Sequence, residues 1–181
     1  MFFFFVVVVC LQAQTLSWEI KFLKGKAEES VPVSQVIGMG TGEQFLITIL
    51  SEANAFCYVV CYDSKREVVV LHNQPVTVRQ ELVLGPYATE DPPGTETMYV
   101  IMSMERLSNL EGLIQSFNAN ANSKQHANAV YREVVSLQNK ASKLGEPASS
   151  YIPSGGTTRG LKHATKFSGM NLYVRAIVVR H

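Results

Sequence analysis

A succession of short runs with apolar residues at every second position most constrains how this chain can fold. Trp18 to Leu23 alternates, and Glu43 to Leu50 places Phe45, Ile47 and Ile49 on one face. Phe56 to Tyr62, Glu67 to Leu71, Val76 to Leu84 and Thr97 to Ser103 follow at short intervals. A period of two is the signature of a strand with one face buried, and aromatic and β-branched residues favour it. The intervals carry turn chemistry, at Gly38 to Gly42, Asp63-Ser64-Lys65, His72-Asn73-Gln74-Pro75 and Asp91-Pro92-Pro93-Gly94. Strands so closely spaced, with no helix between them, predict an antiparallel β-sandwich-like domain.

The period then changes. Leu107, Leu110, Leu113, Ile114 and Phe117 recur at helical spacing, and Ser108 with Glu111 fits a capping box. After the polar stretch 118–122, a second helix is expected from Ser123 to Leu144, with Ala127, Val130, Tyr131, Val134, Leu137, Ala141 and Leu144 as its apolar stripe. Gly145 is a suitable stop. Residues 146–160, rich in Pro, Ser, Gly and Thr, read as a flexible connection. Leu172 to Arg180 is a closing strand, apolar on both faces. The fold class is therefore mainly β, α+β overall. A single domain is expected over 14–181, with a two-helix insertion at 107–145.

Met1 to Leu11 is an unbroken apolar run followed by Gln12-Ala13-Gln14. As a helix it would cover roughly half of a ~30 Å hydrocarbon core, too little to span it. The length suits the apolar part of a signal peptide, with Ala13 as the small residue before the cut. Residues 1–13 are read as that signal and the mature chain as lacking a transmembrane span, although no basic residue precedes the run. Two alternatives are a buried first strand and a lipid anchor at Cys10, the latter preceded by an unfavourable Val9. The 16 Lys and Arg against 15 Asp and Glu leave a net charge of +1 without clustering, which argues against a nucleic-acid groove.

Cys57 and Cys61 fall four apart on one strand. That spacing separates them by about 13 Å, beyond the ~7 Å a disulfide tolerates, so both are expected as free core thiols.

From Gly42 to Leu107 the chain resembles the bacterial domain of unknown function 4384. The resemblance rests on Gly42-Glu43 before an apolar strand, an aromatic strand ending at Asp63, and Leu71-His72-Asn73. To these it adds Pro92-Pro93-Gly94-Thr95-Glu96 ahead of a strand ending at Ser103. Lys65-Arg66-Glu67 departs from the small residues usual in that hairpin. In layout the chain is similar to exported proteins of spirochaetes. The resemblance implies an exported protein of the periplasm or cell envelope, and brings no catalytic residues.

No catalytic residue, cofactor or metal ligand is assigned from sequence. His72, His126, His163 and His181 lack the spacing that gathers metal ligands. Gly38, Gly40 and Gly42 precede a strand rather than a helix N-terminus, unlike a phosphate loop. Attention falls on Pro93, Gly94 and Glu96, a rigid turn that aims one carboxylate. Gly94 is expected at positive φ, and Glu96 is expected to accept backbone N–H groups of its turn. The functional expectation is a non-enzymatic envelope binding or assembly module, whose partner is a protein or envelope component. The alternatives are a structural subunit of an envelope complex and an enzyme with a spatially assembled site, such as a hydrolase.

Overall fold

The computed structural model of the chain describes residues 15–26, 28–120, 123–143, 148–154 and 162–181. Residues 1–13, read from the sequence as a signal, and with them Cys10, lie outside the described residues. The described residues form a mainly β, α+β domain: two sheets packed face to face, with two helices over the outer face of one. The first sheet runs in the order β7-β4-β1-β10-β9, from Glu81–Ala88, Gln44–Ser51, Thr15–Lys24, Lys162–Met170 and Ala148–Ser154. β2 (Glu29–Val31) pairs with the Phe22–Lys24 end of β1, on the edge that β10 uses at Thr15–Ile20. The second sheet runs β3-β11-β8-β5-β6, from Ile37–Gly38, Leu172–Arg180, Thr95–Ser103, Ala55–Tyr62 and Val68–Val76. All these pairings are antiparallel except that of β3 with β11.

Alternation along the second sheet divides its side chains between two cores. Cys57, Val59, Met98, Val100, Met102, Ile177 and Val179 face the first sheet, joining Trp18, Ile20, Phe22, Ile47 and Ile49. The intervening Tyr58, Val60, Tyr99, Ile101 and Val174 face outward onto α1 (Ser108–Ala119) and α2 (Lys124–Lys143). There they meet Leu110, Ile114, Val130, Val134 and Leu137, the helical stripes read from sequence. A strand apolar on both faces thus sits in the middle layer of three, as β11, β8 and β5 do. No helix among the described residues is long and apolar enough to cross a membrane.

Several local expectations are corrected. Residues 146–160 are not simply a connection, because Ala148–Ser154 is a strand paired with β10. β10 itself has no counterpart among the strands expected. His72 to Pro75 is not a turn but part of β6; Pro75 is tolerated because β6 is a sheet edge, where a missing N–H costs no ladder bond. The reversal falls later, where the Gln80 N–H donates to the Thr77 carbonyl at 3.1 Å, so Val76 to Leu84 is two strands in different sheets. The capping box does not form either. Leu107 is the N-cap of α1, without a side-chain bond, and Glu111 is engaged elsewhere.

Cys57 and Cys61 are free, buried and on the face of β5 turned to the first sheet. Burial pushes both thiols up to about 12, so thiolate is scarce at neutral pH. A maleimide probe should label both slowly in the native protein and rapidly in denaturant. Rapid native labelling would contradict this packing.

Candidate functional site

Two places among the described residues set buried, hydrogen-bonded polar groups beside accessible space. The first begins at Tyr58, which β5 turns towards the helices and whose side chain is buried. A phenol cannot be buried there without partners. It donates to Glu111 Oε1 at 2.8 Å and accepts the Leu107 N–H at 3.0 Å, anchoring the start of α1 on the sheet. Glu111 Oε2 in turn accepts from Arg106 Nε at 2.5 Å. Partial burial of Glu111 favours its acid form, but the Tyr58 and Arg106 bonds outweigh it and hold the carboxyl below its ordinary range. Burial, and then the nearby Glu111, push the Tyr58 phenol up to about 12.

Beside this anchor runs an open groove of about 710 Å³ between α1 and the outer face of β5 and β6. α1 contributes Gln115 and Asn118, β6 contributes Asn73 and Gln74, and Phe56 and Pro75 supply the apolar surface. The Arg106–Glu111 pair lies at the same groove.

The second place is the turn singled out in the sequence. The Gly94 N–H donates to the His181 carbonyl at 2.9 Å, and the His181 N–H to the Gly94 carbonyl at 3.0 Å. This extends the β8–β11 ladder beyond Thr95–Arg180. Gly94 is not among the positive-φ residues, contrary to expectation. What demands glycine is space: an added Cβ would lie 2.8 Å from Ser64 Cβ. Pro93 immediately precedes this contact. Glu96 is buried, and its partner is not a backbone N–H of the turn but His181, whose Nε2 lies 3.2 Å from Oε1. The His181 side chain is fully buried, and its Nδ1 has no partner among the described residues. A cavity of about 180 Å³ adjoins the pair, lined in part by Cys61, Asp63, Lys65, Glu90 and Glu96.

Burial raises the Glu96 pKa; His181 opposes the rise, and the Asp63 and Glu90 carboxylates add to it. A carboxyl with a raised folded-state value contributes stability below its unfolded value, which is lost as pH rises through the folded one. Wild-type stability relative to Glu96→Gln should therefore fall as pH climbs above the ordinary value of 4.5. Thermal melts of both proteins across that interval measure it, and a difference that is flat or rises with pH would refute it. Gly94→Ala should cost about 1–3 kcal/mol through the Ser64 overlap, read from urea midpoints.

The other histidines stay apart. His72 lies on β6, where burial lowers its pKa, and His126 is in the first turn of α2. The side chain of His163 is outside the described residues. No group of three or more His, Cys, Asp or Glu among the described residues could hold a metal ion.

No family model, curated protein or solved structure matches the chain. The choice of a functional site therefore rests on these two places. Sequence reasoning reached Glu96 but not His181, Tyr58, Arg106 or the groove. A tyrosine in the middle of an apolar strand was the one available sign that a buried hydroxyl needed partners.

Proposed function

We propose that this is a binding module of the bacterial envelope, exported and non-enzymatic, that acts through the groove beside α1. The groove carries this reading. Its volume lies within the roughly 300–1,000 Å³ of small-molecule sites, and its mostly polar lining includes the apolar Phe56 and Pro75. Both walls are regular elements, and the Tyr58 anchor fixes one against the other. Export is supported by the apolar N-terminal run and by the resemblance of 42–107 to a family of exported proteins.

Affinity capture from native envelope extracts tests the reading, comparing wild type with Gly112→Arg. Gly112 is a helical groove residue with nothing within 4 Å of an added Cβ, so the arginine obstructs the groove and spares the fold. A component retained by wild type and lost with Gly112→Arg is the expected result. Capture of nothing, or of the same components by both, would refute it.

A hydrolytic enzyme is the second reading, favoured by the buried Glu96–His181 pair beside its small cavity. Raised carboxyls in clefts are characteristic of acid–base catalysts. Envelope-substrate hydrolysis abolished by Glu96→Gln in protein that remains folded would move this reading ahead.

A further inference from the structure

We propose that the groove between α1 and β5–β6 binds a neutral, polyhydroxylated ligand, a short stretch of glycan chain. The inference rests on the binding-module reading and gives it a ligand class.

The lining charges balance. Arg106 and Glu111 are the only charged residues of the groove among those described, and they neutralise each other at 2.5 Å. The carboxyl is held ionised, so the pair persists as a pair. The pair gives the groove no net charge, so neither an anion nor a cation gains a net electrostatic advantage there.

What remains is amide. Gln115 and Asn118 on α1 face the groove across from Asn73 and Gln74 on β6. Gln115 and Asn118 are exposed on α1, so their amides are open to solvent or to a ligand. Gln74 Nε2 approaches Asn73 Oδ1 at 3.4 Å, which leaves the Asn73 amide hydrogens and the Gln74 carbonyl oxygen to a ligand. Each primary amide offers donors and an acceptor side by side, as each sugar hydroxyl does. Such groups on both walls can each exchange hydrogen bonds with saccharide hydroxyls. Phe56 supplies the apolar surface against which the C–H face of a sugar ring packs.

An extended peptide fits less well. Peptides that join a sheet bond to its edge backbone and seat alternate side chains in pockets. Here the groove lies on the helix side of the sheet, and Phe56 and Pro75 are its only sizeable apolar residues among those described.

The test is calorimetric titration of the folded protein with neutral trisaccharides: α- and β-linked glucose, β-linked N-acetylglucosamine and α-linked mannose. At least one should bind with a Kd of about 1 mM or tighter. The double variant Gln115→Ala, Asn118→Ala should weaken it about tenfold or more with an unchanged melting temperature, both sites being exposed on a helix that alanine favours. Absence of binding across the panel, or binding indifferent to the double variant, overturns the proposal. If groove-dependent capture of a protein succeeds while every sugar fails, the binding-module reading stands and the glycan does not. If both fail, both fall.

Discussion

Trp18→Ala should cost about 3–5 kcal/mol of folding stability. Trp18 is 1% exposed in β1, paired in register with Phe167 of β10 and Ser51 of β4. Its ring lies 4.9 Å from that of Phe167 and 5.3 Å from that of Tyr173, so one side chain joins both sheets. Truncation removes the transfer free energy of an indole and leaves a space that paired strands on either side cannot close. A loss of that size is a large part of the ~5–15 kcal/mol by which domains are stable. The chain has a single Trp, so unfolding is best followed by circular dichroism rather than indole fluorescence. Trp18→Phe, which keeps an aromatic ring against Phe167, should lose less than half as much and remain folded. A loss below ~1 kcal/mol for Trp18→Ala would contradict the packing described.

Gly85→Ala should be comparably severe for a different reason. Gly85 has φ +109°, a conformation that side chains rarely adopt. It sits where the β4–β7 register shifts between Phe45 and Ile47, so that Gly85 and Pro86 stand opposite Leu46 alone. An added Cβ would lie 2.9 Å from the Tyr87 nitrogen, 3.0 Å from the Phe45 oxygen and 3.2 Å from Leu46 Cδ2. Two of these are backbone atoms held by the sheet. Strain and overlap together amount to about 2–5 kcal/mol. Gly42→Ala is the control, with φ +78° but nothing within 4 Å of the added carbon. Strain alone should cost it on the order of 1 kcal/mol. Equal urea midpoints for the two variants would show that the overlap at Gly85 is relieved.

The middle layer was legible in the sequence because its chemistry is unmixed. β5 and β8 carry apolar or aromatic residues on both faces, and β11 alternates visibly. α1 and α2 declared themselves by period. The losses lie at the margins of the first sheet. In β10 the buried side chains include Ala164 and Phe167, three apart, which breaks the alternation that marks a strand. β9 carries Pro153 and three serines, a composition that reads as loop and is tolerated because the strand is an edge. Likewise Pro75 suggested a turn within the edge strand β6. At the site, the Pro-Pro-Gly turn marked Glu96, but His181 lies 85 positions away and reaches it only through the β8–β11 ladder. The groove was hidden for the same reason: its walls are brought together by Tyr58 and Glu111, 53 positions apart. Spacing along a chain reports a shared face on one element, not which elements meet.

The last two strands occupy interior places in both sheets, and this bears on how the chain reaches its fold. β10 lies between β1 and β9, and β11 between β3 and β8. The α1–α2 hairpin can form locally within microseconds, but pairings between distant strands are slow, with folding of such topologies taking milliseconds to seconds. A growing chain that has not yet released residues 162–180 leaves one edge of β8, and the Thr15–Ile20 stretch of β1, without the neighbours they have in the finished domain. Unpaired edges of that kind are templates for strands of other chains. The hazard of aggregation is therefore concentrated before residues 162–180 emerge, and a holding chaperone would be most useful in that interval.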